Sequence, residues 1–550
     1  MQGIGSCLDV IAYLSAEIGL YSELHTYSGG LGVLAGDHLK SAADEGIDIA
    51  AVTLLYREGY GRQHLDSEGN QTETYPDLDP SKHLRDTGLE LEIPLDGHVL
   101  NSKIWTTVVK GIEGHEVPVY FLDTRHASNE DRHLKLSDRL YAGGDDMRVR
   151  QEYLLGVGGI RALKALGHWP LKGLHLNEGH CSFAGLEMIR QGWTREECSK
   201  RTLFTTHTPV AAGHDKFDWD LVDNVTGDLI GGPEREIATH EGQCSMSHLG
   251  IGMAGRVNAV SHLNAEVASK MFPEVTITPI TNGVHHTTWI SPTMARLYDE
   301  ELDGWRSDGS LLEKAQILSD TGLERARAES RAVLRELVRS MTGIELDGNR
   351  LTVGFARRFA TYKRASLVFR DINRLNDMGG GRLQFVFSGK AHPRDEGGKR
   401  LIKEVFAAAR ELEDIPVAFL EDYSMATGLA MTSGVDVWLN TPVRPMEASG
   451  TSGMKAVMNG VPNLSILDGW WPEACRHGEN GWGIGRKEED RDDDRDAESL
   501  YNIMENEVIP TWSSSRSNWT RIMKNAISVG PRFTGQRMIR DYKSMYQAFK

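Results

Sequence analysis

The sequence predicts an α/β protein of two Rossmann-like domains facing across a cleft, and three observations carry that prediction. Short apolar runs alternate with longer helix-favouring stretches along most of the chain. The alternation stops once, in a long polar stretch, and then restarts. At 550 residues the chain is also too long for one ordinary core.

Taken in order, residues 8–15 (LDVIAYLS) read as a buried strand. Residues 29–45 (GGLGVLAGDHLKSAADE) read as a glycine turn entering a helix, and 47–55 (IDIAAVTLL) as a second strand. Further strands fall at 117–122 (VPVYFL), 202–206 (TLFTT) and 256–263 (RVNAVSHL), with a helix across 146–166. The polar stretch 311–342 carries few turn signals, after which LTVGFA, RLQFVFSG, IPVAFL, VDVWLN and PNLSIL restart the alternation. That restart places the domain boundary near residue 345, giving domains 1–345 and 346–550, the last 35 residues helical. The charged run RKEEDRDDDRDAE (486–498) reads as a solvated loop or the start of a helix.

Composition narrows the function classes. Hydrophobic residues at 40% and charged residues at 25% are those of a globular chain. A formal net charge of −17 excludes a general nucleic-acid binder but permits a local phosphate site. Cys7, Cys181, Cys198, Cys244 and Cys475 are few, scattered and odd in number, which suits reduced thiols. The N-terminus lacks a basic region and a cleavage site, and no window approaches the roughly 20 apolar residues of a membrane span. A soluble, cytoplasmic protein is the expectation.

In a doubly wound fold, ligands bind at the carboxyl ends of strands, so the chemistry is sought in turns. PMEASGTSGMKAVMNG (445–460) sets small and hydroxylated residues before a helix, with Lys455 close behind them. Backbone N–H groups there form an anion site, and a phosphate beside a lysine is what a pyridoxal phosphate Schiff base requires. A capped helix with a solvated lysine is the bland alternative. ARRFATYKR (356–364) puts four cations at the end of a strand, suited either to an oxyanion or to a solvated helix start. Gly29, Gly30 and Gly32 in YSGGLGVLAGD open a helix, as in anion-binding loops and in many ligand-free turns. HLNEGH (175–180) invites a metal reading but shows no third ligand at suitable spacing, so no metal is expected.

EASGTSGMK, continuing through NG and LDGWWPEA, resembles the cofactor-lysine motif of the glycogen and α-glucan phosphorylases. Similarity extends from about residue 11 to about 485 and is closest to the short bacterial and archaeal type. The resemblance implies a GT-B type glycosyltransferase fold and pyridoxal 5′-phosphate as a Schiff base on Lys455. Gly450, Thr451 and Ser452 would lie on the cofactor phosphate, with Arg357, Lys390 and Trp289 in the cofactor pocket. It carries the substrate-phosphate role to Arg358 and Lys363, and the phosphate-closing loop to Gly30 with Gly29 beside it. His207, Asn282 and Glu447 would contact the glucosyl unit, and Glu178 and His180 would line the cleft. Ser452 departs from the glycine of the long enzymes, and family members carry a further segment before the Y-x-S-x-E strand.

The implied reaction is phosphorolysis of α-1,4-glucans such as glycogen, starch or maltodextrin, releasing α-D-glucose 1-phosphate with retention. Two phosphates take the place of the paired carboxylates of glycosidases. Glucan and inorganic phosphate are the implied partners, with a homodimer usual for the family. A retaining nucleotide-sugar glucosyltransferase of the glycogen or starch synthase type is the enzymatic alternative. Those enzymes carry E-x7-E where this chain has Glu447 and Lys455 in E-x7-K. A glucan-binding homologue without activity is the non-enzymatic one.

Overall fold

A computed structural model describes residues 10–486 and 491–549. Cys7, the first two residues of the 8–15 strand and positions 487–490 of the charged run lie outside the described residues. The chain forms two compact units. The first comprises residues 1–61, 75–281 and 538–550, the second 62–74 and 282–537.

The first unit is built on a nine-stranded sheet. Its strands are β1 (Ile11–Ser15), β2 (Ile49–Leu54), β3 (Arg85–Leu95), β4 (His98–Lys110), β5 (Glu116–Asp123), β6 (Gly173–Asn177), β7 (Thr202–Thr206), β8 (Arg256–Ala259) and β9 (Ile277–Pro279). Their order is β9-β8-β7-β6-β1-β2-β5-β4-β3. All neighbours pair in parallel except β3–β4 and β4–β5, which are antiparallel. β1, β2, β6 and β7 are buried along their whole length; β1 and β2 are mostly apolar, whereas β6 (GLHLN) and β7 (TLFTT) carry histidine, asparagine and threonine into the interior. β3 was not legible in the sequence because its first half is largely exposed and alternation begins only near Leu91.

The second unit carries a six-stranded, fully parallel sheet: β10 (Leu351–Ala356), β11 (Leu383–Ser388), β12 (Val417–Leu420), β13 (Val437–Asn440), β14 (Asn463–Ile466) and β15 (Gly481–Ile484). The order β12-β11-β10-β13-β14-β15 reverses direction between β10 and β13, the switch point of a Rossmann sheet. A hairpin of Arg62–Leu65 and Gln71–Thr74 belongs to this unit. Gln63 Nε2 donates to the Gly389 carbonyl at 2.9 Å and Gln71 Nε2 to that of Ala391 at 3.0 Å.

Two expectations are corrected. The boundary falls at Thr281, well before residue 345, because the polar stretch is no linker. Its long helix, Asp320–Thr342, is capped by Ser319 and ended by Gly343 at φ 73°. It buries Leu323, Ala326, Arg327, Ser330, Leu334 and Val338 on one face. Arg327 donates to the carbonyls of Ser433 and Val435, tying that face to the second unit.

The other correction concerns the chain's end, since residues 538–550 complete the first unit and not the second. On the closing helix, Gly535–Gln547, the Tyr546 hydroxyl lies 3.0 Å from His38 Nε2 and 2.7 Å from His175 Nδ1. Thr205 Oγ1 donates to Asn258 Oδ1, so its oxygen accepts from His175 Nε2 at 2.8 Å. His175 Nδ1 must then accept from Tyr546, whose oxygen accepts from His38. One proton arrangement satisfies the whole buried chain. Burial lowers His38 to about 3 and holds His175 well below the ordinary histidine value. Both are therefore neutral when folded and take up protons on unfolding below about pH 6.5. Stability should fall as pH drops from that value towards 3, seen as a declining denaturant midpoint. Tyr546→Phe should lower stability by about 2–4 kcal/mol at neutral pH in the same assay, since it orphans two buried histidine nitrogens.

Candidate functional site

In the second unit, the loops after β10 and β13 leave the sheet on either side of its switch point, and they carry most of the residues singled out in the sequence. Arg357 Nη2 and Lys363 Nζ both reach Glu447 Oε2, at 2.6 and 2.5 Å. All three side chains are at most about one-tenth exposed. Burial works to raise the Glu447 carboxyl, but Arg357 and Lys363 overcome it and hold the group below the ordinary carboxylate range. Arg358 differs from its neighbour in being exposed. Lys390, at the end of β11, pairs with Asp422 Oδ1 at 2.5 Å.

Lys455 lies on a short helix, Ser452–Met458, and is buried. Its ammonium stands 3.4 Å from the centroid of the Trp289 indole, itself 1% exposed. Asn459 fixes this pair: its Nδ2 donates to the carbonyls of Trp289 at 2.7 Å and Lys455 at 2.9 Å. The helix can sit this deep because Gly453 has no side chain. A Cβ there would lie 2.3 Å from Asn463 Oδ1 and 3.0 Å from the Trp470 ring. Gly450, Thr451 and Ser452 are half-buried, and Trp438 Nε1 donates to Ser452 Oγ at 3.2 Å. Ser449 Oγ and Asn282 Oδ1 are buried without a hydrogen-bond partner among the described residues. Such orphaned groups mark places where a polar ligand fits.

The charged run at 486–498 was expected to be solvated, and that is corrected in part. Asp496 is buried and accepts from Arg364 at 2.7 Å and from Arg444 at 2.8 Å. Arg364 also donates to the carbonyls of Thr441 and Pro442, so the start of the helix Asp493–Ile503 braces both loops.

In the first unit, the segments after β1, β6 and β7 converge in the same way, because its order reverses between β1 and β6. Glu178 follows β6 with φ 79° and ψ 169°, a conformation suited to glycine and held here against strain. Its Oε2 accepts from the His207 N–H at 2.7 Å and from Thr208 Oγ1 at 3.0 Å. Burial raises the Glu178 carboxyl, but His214, His207 and His180 together bring it below the ordinary value. Burial takes His207 down to about 4, so the ring is neutral near pH 7, and its Nε2–H donates to Asn177 Oδ1 at 2.7 Å.

Gly29 and Gly30 begin the helix Gly30–Asp44, and a Cβ at either would meet nothing within 4 Å. The Ser28 and Gly29 N–H groups are taken by Glu17 Oε2, at 2.6 and 3.4 Å. His180 does gain the neighbours that its sequence spacing lacked, for Glu152 and Asp215 stand beside it. The cation held there is the Arg148 guanidinium, 2.5 Å from Asp215 and 3.5 Å from Glu152.

Sequence reading missed Asn177, Asp215, Asn459 and Asp468, which touch the singled-out residues. Asn177, Asn459 and Asp468 stood inside the motifs HLNEGH, PMEASGTSGMKAVMNG and LDGWWPEA, and Asp215 in the stretch FTTHTPVAAGHD around His207, but Asp215 meets His180 only through the fold.

Two units built on doubly wound, mostly parallel sheets, each with polar loops at its switch point, are the folding units of the GT-B class of glycosyltransferases. Residues 232–490 match the family model for carbohydrate phosphorylase, and residues 11–275 that for the starch synthase catalytic domain. A maltodextrin phosphorylase of Thermococcus litoralis is 39% identical over 97% of this chain and 70% of its own length. A glycogen phosphorylase of Mycobacterium tuberculosis is 38% identical over 98% and 70%, and one of Aquifex aeolicus 36% identical over 97% and 85%. The chain belongs to the α-glucan phosphorylase family. The E-x7-K segment lies in the phosphorylase match and outside the starch synthase match. Among the described residues, no helix is long and apolar enough to cross a membrane.

Gly453→Ala should destabilise the protein by about 1–3 kcal/mol, since neither Asn463 nor Trp470 has room to withdraw. A lowered thermal or denaturant midpoint measures it.

Proposed function

We propose that this chain is an α-glucan phosphorylase: it transfers the terminal glucosyl unit of an α-1,4-glucan to inorganic phosphate and releases α-D-glucose 1-phosphate with retention. The observation that carries the reading is Lys455, a buried amine on an indole face in the segment that separates this family from the nucleotide-sugar enzymes. A lysine amine held at a fixed place in the interior is the group that an aldehyde cofactor bonds covalently.

Pyridoxal 5′-phosphate suits these residues. Lys455 would anchor it, and Trp289 would line the pocket that holds it. Gly450, Thr451 and Ser452 would meet its phosphate, with Arg357 and Lys390 supplying positive charge. When bound, the cofactor supplies a phosphate group that works beside the substrate phosphate as a proton partner.

The chain's own residues do the rest. Arg358 and Lys363 bind the substrate phosphate and stabilise the charge that develops as the glycosidic bond breaks. In the first unit the Gly30 N–H is offered to an anion, while that of its neighbour Gly29 is held by Glu17 Oε2. Glu447 accepts from a glucosyl hydroxyl while remaining paired with its two cations. Asn282 offers its orphaned carbonyl oxygen to the sugar, and neutral His207 contributes a ring that brings no charge to an oxocarbenium-like transition state. Glu178 and His180 line the approach.

Incubated with maltoheptaose and inorganic phosphate, the pyridoxal-phosphate-loaded protein should release glucose 1-phosphate, and absence of release would refute the reading. Arg358→Ala should lower kcat/KM by about 10²–10³-fold. Lys455→Ala should abolish the near-ultraviolet absorbance of the bound cofactor; retention of that band would remove Lys455 from its role.

A further inference from the structure

The segment LDGWWPEA has no role in the reaction as described so far, and the first of its two acidic residues, Asp468, lies against the buried ion cluster around Glu447. Asp468 follows β14 and is 2% exposed. Its Oδ2 accepts the backbone N–H of Glu447 at 2.9 Å and its Oδ1 that of Gly469 at 2.8 Å. The Trp470 N–H donates to the Ser449 carbonyl at 2.9 Å. Residues 468–470 thus lie edge to edge with residues 447–449. Gly469 permits the approach, at φ 59° and with the Ser449 oxygen 2.3 Å from where a Cβ would stand.

Glu447 is the residue whose carboxylate gathers Arg357 and Lys363. Its side chain can hold both cations only if its backbone is fixed, and Asp468 supplies a direct side-chain bond to that backbone. We propose that Asp468 is a positioning residue for the reaction: its carboxylate clamps the Glu447 turn, and loss of its charge releases the turn and lowers activity. This rests on the reading of Glu447 as a sugar-contacting residue. An ionised carboxylate offers an acceptor oxygen to each N–H, whereas a protonated one offers one good acceptor and leaves the other N–H poorly bonded.

The titration falls in a useful range. Burial pushes the Asp468 carboxyl up to about 7, with the charge of Glu447 adding to the rise. The two N–H donors and Lys363 oppose it. Arg357 pairs with the Glu447 carboxylate at 2.6 Å. As pH rises towards neutrality Asp468 ionises and the clamp closes, so activity should climb on the acid side.

The test measures glucose 1-phosphate release from maltoheptaose and inorganic phosphate between about pH 5.5 and 8.5, using the full, cofactor-loaded chain. Asp468→Asn keeps the shape and one acceptor. It should lower kcat/KM by about 10–100-fold at pH 8 and flatten the acid limb that the wild type shows near neutrality. A variant with wild-type activity, or with the wild-type acid limb, overturns the proposal. Tryptophan fluorescence against pH gives a second readout, since Trp470 shares the clamped segment: the wild type should show a step near neutrality that Asp468→Asn lacks. If the wild type releases no glucose 1-phosphate, the reading of the function fails. The clamp is then judged on fluorescence alone, and identical curves for the two proteins overturn it.

Discussion

The second unit depends on one buried carboxylate between two cations. Glu447 meets Arg357 from the loop after β10 and Lys363 a few residues further along it. Burying three charges is costly unless they satisfy one another, so neither loop can relax alone. The switch point brings these loops side by side, and the ion cluster fixes how they face each other. The second buried cluster, Arg364 and Arg444 on Asp496, braces the same loops from behind. The positive charge gathered at this switch point is therefore held by counter-charges belonging to the protein.

The first unit uses a different device at its own switch point. Glu178 stands in a backbone conformation that costs about 1–3 kcal/mol for a residue with a side chain. The compensation is visible in the three donors on its carboxylate, from Gly179, His207 and Thr208. The result is a carboxylate and a neutral imidazole held in fixed register by the backbone between them.

Much of this was legible in the sequence. Strands buried on both faces announce themselves as apolar runs, and β1, β2, β7 and the first five strands of the second sheet lie where those runs fall. Arg357, Lys363 and Glu447 come from two motifs yet meet, because those two loops leave the sheet on either side of its switch point. What escaped reading was whatever depends on distant pairing. β3 hides half its length in an exposed hairpin. Asp215 reaches His180 only through the fold, and the acidic run looked solvated because nothing local announces that Asp496 will meet Arg364. The domain boundary was misplaced for a related reason. A helix polar on its outer face and apolar on its inner one reads as a connector until its partner surface is known.

The closing helix has a consequence for how the chain is made. Tyr546 completes the hydrogen bonds of His38 and His175, residues near the beginning and the first third of the sequence. These contacts span 508 and 371 positions of sequence, and most of the second unit is encoded between their two ends. The buried polar chain of the first unit therefore gains its hydroxyl group only after the second unit's residues have been synthesised, so the order in which the units are made is not the order in which their cores are completed.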